Sequence, residues 1–225
     1  MFSYLGSKSK IINLYPAPRF DVIVEPFAGS ARYSLKYWDR EVHLCDTSEY
    51  VIKVWKYLQQ ASEKDILSLP DVPSKVSINS YTQLSEAEKY LIGFNLCRGK
   101  SKPRKTGHGQ NSWAKDKIRI ANDLYKIRHW YIKQRDYTWI PNYTATYFID
   151  PPYEYTQERK GNTDKYPCPS LNYYKLAEWI KTRNGQVIAC EGEGADYLPF
   201  AFLTRATTNT NNKSTKRLNE YIYTQ

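Results

Sequence analysis

The sequence predicts an α/β chain, with a doubly wound, mostly parallel sheet that ends in an antiparallel hairpin. Three observations predict it. Residues 21–60 run as short apolar segment, small-residue turn, helix, second apolar segment, acid and helix, which is how a doubly wound sheet begins. Residues 147–149 form another apolar run, stopping at Asp150-Pro151-Pro152-Tyr153. In the last third, residues 200–206 and 219–223 are strand-like runs on either side of the polar stretch TTNTNNKSTKR, the pattern of a hairpin.

Taken in order, residues 21–25 (DVIVE) are a buried strand closed by Pro26. Pro26, Phe27, Ala28, Gly29 and Ser30 form a turn of mostly small residues, and residues 31–38 start a helix. Residues 42–45 are a second strand ended by Asp46, after which Thr47 or Ser48 caps a helix to about residue 60. Residues 61–82, with prolines and polar side chains, read as a loop-rich connection. A helix over 85–96 carries Tyr90, Leu91, Ile92 and Leu96 on its apolar face, and Ser85 with Glu88 offers a capping box. The stretch RGKSKPRKTGHGQNSW is basic, contains Gly and Pro, lacks periodicity and reads as a mobile loop. Residues 115–135 read as one long helix, with Ile118, Ala121, Leu124, Tyr125, Ile127 and Tyr131 at rough helical spacing. A helix over 171–183 and a strand over 186–190 lead to the hairpin.

Composition bounds the function. A chain of 225 residues suits one α/β domain or a domain with an insert, and 41% hydrophobic with 25% charged residues excludes wholesale disorder. Lys and Arg number 33 against 23 Asp and Glu, a net charge of +10 that points to a polyanionic partner. The excess is local: residues 98–135 hold 12 basic and 2 acidic side chains, and the rest of the chain is neutral. The 21 tyrosines suit base stacking and core edges alike. The four cysteines (Cys45, Cys97, Cys168, Cys190) and three histidines are scattered, so neither a metal site nor a disulfide framework is expected. The first residues, MFSYLGSKSK, are neither a signal nor a transit peptide, and no apolar run reaches the roughly 18 residues of a membrane span. A reducing cytoplasm is the default setting.

The sharpest chemical signal is Asp150-Pro151-Pro152-Tyr153 directly after a strand, at the sheet edge where such folds keep their sites. Two prolines fix the backbone. Asp150 and the Pro151 carbonyl can then each accept one N–H of a planar amino-bearing base, while Tyr153 stacks on its ring. The turn from Pro26 to Ser30 lets a cofactor approach backbone and helix N-terminus. Asp46, 21 residues after Glu25, stands where an acid holds a ribose diol, although in isolation a helix cap is the better explanation. Tyr4-Leu5-Gly6-Ser7-Lys8 says little as a lone peptide. Bland readings take the rest: Glu191 and Glu193 as edge or solvent acids, Tyr173 and Tyr174 as helix packing, Trp113 and Trp130 as core.

Together, YLGSK, VEPFAGS, LCD and FIDPPY, in this order, resemble the Dam-like class of adenine-specific DNA methyltransferases. The resemblance covers most of the chain. FNLCRGKSKPRKTGHGQNSW is similar to a degenerate copy of that family's Asn- and Gly-containing segment, and Arg135-Asp136-Tyr137 to its acid–aromatic pair. It implies a Rossmann-like S-adenosylmethionine-dependent fold, with residues 1–60 and 136–225 as the catalytic domain and 61–135 as a basic, DNA-recognising insert. It also implies S-adenosylmethionine bound by Tyr4, Lys8, Pro26, Phe27, Ala28, Gly29, Ser30, Asp46, Asp136, Tyr137 and Asp150, with no metal. Asp150, Pro151, Pro152 and Tyr153 would hold a flipped adenine. Arg98, Lys100, Lys102, Arg104, Lys105, Lys216 and Arg217 would meet DNA phosphates, in a bacterial or phage-infected cytoplasm. The chain departs from the family in Ala31-Arg32, where a second glycine is common. It departs again in a lean recognition region, which implies a short site, relaxed specificity, or reading by a second subunit in a homo- or heterodimer. RNA methylation, cytosine amino methylation and an inactive DNA-binding subunit are the alternatives. The N-terminal YLGSK disfavours the first, Asp rather than Ser before Pro151 the second, and intact Asp46 and Asp150 the third.

Overall fold

Short apolar runs that alternate with helices have no water-facing side, so they stack as a parallel sheet covered on both faces. The computed structural model describes residues 1–97, 99–107, 113–154, 171–208 and 216–225, with backbone alone at 206–208 and 216–218. Among the described residues the sheet has seven strands: β1 (Val22–Glu25), β2 (Glu41–Asp46), β3 (Tyr131–Gln134), β4 (Ala145–Ile149), β5 (Gly185–Gly192), β6 (Ala201–Thr208) and β7 (Lys216–Thr224). Their spatial order is β3-β2-β1-β4-β5-β7-β6. The first five are parallel, and β7 is antiparallel to both its neighbours. The predicted parallel sheet and closing hairpin are therefore both present.

Helices α1 (Arg32–Lys36), α2 (Glu49–Gln60), α3 (Glu63–Ser68), α4 (Glu86–Leu96), α5 (Trp113–Asp123) and α6 (Tyr173–Lys181) complete the described elements. Alternate strand residues serve opposite faces. Ile23, Val42, Leu44, Phe148 and Ile188 share a core with Trp55, Leu58, Phe94 and Ile120. Val24, Tyr147, Ile149, Val187 and Ala189 share the other with Leu176, Ala177 and Ile180 of α6. Burying each such aliphatic side chain contributes about 1.5–3 kcal/mol, which locks the strand register. The tyrosine excess has a packing explanation: buried rings end on acceptors, as where Tyr33 Oη donates to the Pro16 carbonyl at 2.8 Å and Tyr147 Oη to that of Tyr143 at 2.9 Å.

The strand order turns between β1 and β4. From β1 the chain goes outward to β2 and β3, and from β4 it goes the other way to β5. The carboxyl ends of β1 and β4 therefore frame a crevice, the place where doubly wound sheets bind ligands. Glu25 and Asp150 stand at those two ends.

Four expectations need correction. The single helix over 115–135 is three elements: α5 stops at Asp123, Leu124–Ile127 tightens into a 3-10 turn, and β3 pairs in parallel with β2 from His43–Tyr131 to Asp46–Gln134. Of the residues read as its apolar face, Ile118, Tyr125 and Tyr131 are more than half exposed. β3 is a sheet edge with Ile132 alone turned inward, too short an alternation to stand out against helical spacing. The loop-rich stretch 61–82 contains α3, started by a capping box in which the Ser62 hydroxyl accepts from Asp65 N at 3.1 Å. Ser48 occupies the cap position of α2, but its hydroxyl makes no capping bond; the Asp46 carboxylate takes the Ser48 N–H instead. The loop read as mobile is anchored over 99–107: Arg104 N donates to the Gly93 carbonyl at 3.1 Å and Ile78 N to that of Lys105 at 2.7 Å. Gly93 is required there, because a Cβ would stand 2.7 Å from the Arg104 oxygen. The Ser85–Glu88 capping box and the buried Trp113 and Trp130 are as expected.

Candidate active site

The wall on the β1 side is built from the small-residue turn. Gly29 adopts φ +42°, and a Cβ on it would meet the Tyr4 ring at 3.0 Å, so only glycine lets the N-terminal segment lie this close. Ala31, at φ +45°, holds the left-handed position before α1. Ser7 straps the segment down, accepting from Ser30 Oγ and from Arg32 Nε, each at 3.1 Å, and Arg32 also reaches the Phe2 carbonyl. The residue that replaces a second glycine thus has its own task. Asp46 is buried and accepts from Gly29 N (3.1 Å) on one carboxylate oxygen and Ser48 N (2.8 Å) on the other, with the Thr47 N–H as a third donor. Burial pushes its pKa up to about 6 against these donors. Three donors leave the carboxylate a lone pair for one further donor such as a hydroxyl.

Phe27 is half-buried and packs on Tyr137, with ring centroids 5.7 Å apart. Asp136 caps its own 3-10 turn, Oδ1 accepting from Thr138 N (3.0 Å) and Thr138 Oγ1 (2.7 Å). Pro26 and Ala28 are buried beside them. A cavity of about 360 Å³ opens next to Asp46, lined by Thr47, Ser48, Glu49, Tyr50, Lys102 and Gln134.

On the β4 side, Asp150, Pro151, Pro152 and Tyr153 leave the strand together, and Lys8 joins them. Its Nζ lies 2.9 Å from Asp150 Oδ1, 3.3 Å from Glu220 Oε1 and 2.5 Å from the Tyr153 hydroxyl oxygen. Tyr153 Oη in turn donates to Glu220 Oε1 at 2.5 Å, and so does Tyr15 Oη at 2.6 Å. Burial alone would strip Lys8 of its proton, but Asp150 and Glu220 outweigh it and push the ammonium above its usual range. Asp150 is pushed up to about 6 by burial and by Glu220, against the pull of Lys8. Two carboxylates sharing one ammonium account for both directions. Lys8 lies with the carboxylates on this side, and Tyr153 has its hydroxyl fixed and its ring against Gly192, where a Cβ would come within 3.1 Å.

Behind the loop stand residues that sequence reading misplaced or missed. Glu191 is fully buried, so its reading as an edge or solvent acid is wrong. It accepts from Gly192 N and Tyr197 Oη, both at 2.8 Å, and from Glu154 N at 3.4 Å, which fixes the chain just past Tyr153. Burial raises it to about 7. Glu193 is exposed, as expected. Tyr173 is buried in the α6 packing, and its hydroxyl also donates to the Pro152 carbonyl at 2.6 Å. Tyr15 and Glu220 carried no motif; only their place opposite Lys8 identifies them.

Lys100, Lys102, Arg104 and Lys105 are exposed. Four cations of the later half of the basic strip have partners within the chain: Lys117 pairs with Asp71, Arg119 with Asp116, Lys126 with Asp123, and Arg128 donates to the Gln59 and Ala61 carbonyls. Lys216 and Arg217 begin β7, with their side chains outside the described residues, as is Arg98. No described helix is long and apolar enough to cross a membrane.

A model of the family described as D12 class N6 adenine-specific DNA methyltransferase matches residues 4–147. A search of curated proteins finds no match. The matched span takes in the N-terminal segment, the glycine turn, Asp46 and the basic strip, and stops just before Asp150.

Proposed function

Because the chain belongs to the D12 class N6 adenine-specific DNA methyltransferases, we propose that it methylates the exocyclic amino group of adenine in DNA, using S-adenosylmethionine. The observation that carries the reading is the position of Asp150: at the carboxyl end of β4, across the crevice from the glycine turn, with a rigid Pro-Pro-Tyr after it and a cation beside it. When bound, S-adenosylmethionine supplies an electrophilic methyl group on a sulfonium. The residues present fit it: Asp46 has a lone pair left for a ribose hydroxyl, Phe27, half-buried on Tyr137, offers aromatic surface for the adenine, and Gly29 lets the Tyr4 segment close against the turn.

The target nitrogen is a weak nucleophile because its lone pair feeds the ring. In this reading Asp150 accepts one of its N–H bonds and the Pro151 carbonyl the other, which favours pyramidal geometry and frees the lone pair. Tyr173, bonded to the Pro152 carbonyl, and Glu191, bonded to Glu154 N, hold these acceptors still. Catalysis is then positioning plus electrostatics. The amino group is buried in a duplex, so the base must leave the stack at a cost of a few kcal/mol, part of which Tyr153 offsets. The part of residues 61–135 that lies outside the sheet, before β3, is the DNA-recognising part, and Lys100, Lys102, Arg104 and Lys105 are its phosphate contacts.

The test is incubation with labelled S-adenosylmethionine and, separately, DNA and RNA, followed by nucleoside analysis. The expected product is N6-methylated deoxyadenosine from DNA alone. Label on RNA or on cytosine, or no label at all, would overturn the proposal.

A further inference from the structure

The Lys8 cluster holds more negative charge than the proposed reaction uses. Asp150 serves the target amine; Glu220, from the far side of the sheet on β7, serves nothing yet named. It is buried, and three donors converge on its Oε1: Tyr15 Oη at 2.6 Å, Tyr153 Oη at 2.5 Å and Lys8 Nζ at 3.3 Å. An oxygen that collects three donors is a carboxylate oxygen in its charged form. Lys8 donates to the Tyr153 hydroxyl, whose own proton faces both Glu220 and Asp150, so the two carboxylates compete for the same donors.

The remaining titratable groups nearby do not restore the balance. Glu25 is held protonated at neutral pH by burial, which pushes it up to about 8, and burial keeps the Cys190 thiol protonated. Glu191 turns its oxygens to the backbone of its own loop and to Tyr197. Lys8, Asp150 and Glu220 therefore sum to one negative charge. A charge left uncompensated in a buried place is costly, and the cost falls when a cation arrives.

We infer that Glu220 is a positioning residue that makes the cluster complementary to a cation, so that the pocket prefers the sulfonium form of the methyl donor over the neutral thioether left after transfer. The inference rests on the methyl-donor reading above. A preference of this kind loads the positively charged donor and weakens the hold on the spent one. It also explains why Lys8 does not simply neutralise Asp150: with Glu220 in reach, one ammonium is divided between two carboxylates.

The test is calorimetric titration of the full chain with S-adenosylmethionine and with S-adenosylhomocysteine, comparing the ratio of the two dissociation constants. Glu220→Gln and Glu220→Thr remove the charge; threonine suits a strand and serves if the glutamine variant does not fold. Both are expected to shift the ratio about tenfold toward the thioether, equivalent to about 1.4 kcal/mol. Glu220→Asp, which keeps the charge, is expected to keep the wild-type ratio. A purely structural role would weaken both ligands alike and leave the ratio where it was, and that result overturns the inference while the methyl-donor reading stands. A wild-type protein that binds neither nucleoside overturns that reading, and the inference with it.

Discussion

Asp150→Asn isolates the charge at the candidate catalytic position. Asparagine keeps an acceptor oxygen in nearly the same place, and Lys8 retains its contacts with Tyr153 at 2.5 Å and Glu220 at 3.3 Å, so the loop has reason to stay folded. What is lost is a charged acceptor, whose hydrogen bonds are roughly twice as strong as neutral ones. Also lost is the counter-charge for the positive charge that develops on the attacked amine. Removing one preorganised electrostatic partner of a transition state costs about 10²–10³ in kcat, or about 3–4 kcal/mol. The S-adenosylmethionine dissociation constant is expected to rise by no more than about tenfold, the effect of neutralising the Lys8 cluster, which is small beside the loss in transfer. Single-turnover transfer of labelled methyl to DNA measures the first quantity and calorimetry the second. A pH series adds an independent arm. With Asp150 pushed up to about 6, the wild-type rate should rise about tenfold per pH unit below that value and level off above it, since the protonated acid cannot accept the N–H. The asparagine variant should lose that limb. A variant that retains transfer within about tenfold of wild type, with the same acid limb, would refute the role of the charge.

The remaining predictions concern binding and stability. Asp46→Asn should weaken S-adenosylmethionine about tenfold with little change in melting temperature, whereas Asp46→Ala also strands the Gly29 and Ser48 N–H groups, at about 1–3 kcal/mol each; unchanged affinity in both would remove Asp46 from the ribose site. Neutralising Lys100, Lys102, Arg104 and Lys105 together should weaken DNA binding across sequences and reduce the slope of log K against log salt by up to about 3.6; an unaltered slope would show that the loop does not meet phosphate. Glu25 is buried, accepts from Ser34 N at 2.7 Å and is raised from 4.5 to about 8. Between those values the folded state keeps a proton that the unfolded state has lost, so wild-type stability should fall as pH rises through that window. Glu25→Gln keeps an acceptor for Ser34 and should remove Glu25's share of the fall, most clearly between about pH 7 and 8, above the values of Asp46, Asp150 and Glu191. Urea unfolding across the window checks this, and an identical decline in both proteins would rule out Glu25 as its source.

What the sequence discloses and what it hides divide along the range of the interactions. The turn at Gly29, the acid after β2 and the rigid tetrapeptide after β4 are local, and each is legible because it lies within a few residues of the strand that presents it. β3 is hidden: four residues at a sheet edge, of which Ile132 alone needs burial, leave almost no alternation to see. Glu191 is hidden for a related reason. An acid at a strand end reads as solvent-facing unless one knows that Tyr197 and the Gly192 and Glu154 N–H groups will surround it. Tyr15 and Glu220 stand 205 positions apart and meet on one carboxylate oxygen. No local pattern marks either one. The charge strip was half legible. Its net sign was plain, but Lys117 and Arg128 are tied to Asp71 and to the Gln59 and Ala61 carbonyls, far off in sequence, which only packing shows.

The span of the Lys8 cluster, from residue 8 to residue 220, bears on how the protein is made. A ribosome releases the glycine turn, Asp46 and the Asp150 tetrapeptide long before β7. Until that strand inserts between β5 and β6, Glu220 is missing and the hydroxyls of Tyr15 and Tyr153 lack their shared acceptor. Contacts of such sequence separation form late, after much chain entropy has been surrendered. A chain that lacks β7 therefore holds the separate pieces of the site without the site itself, and competence arrives with one docking event once that strand is made.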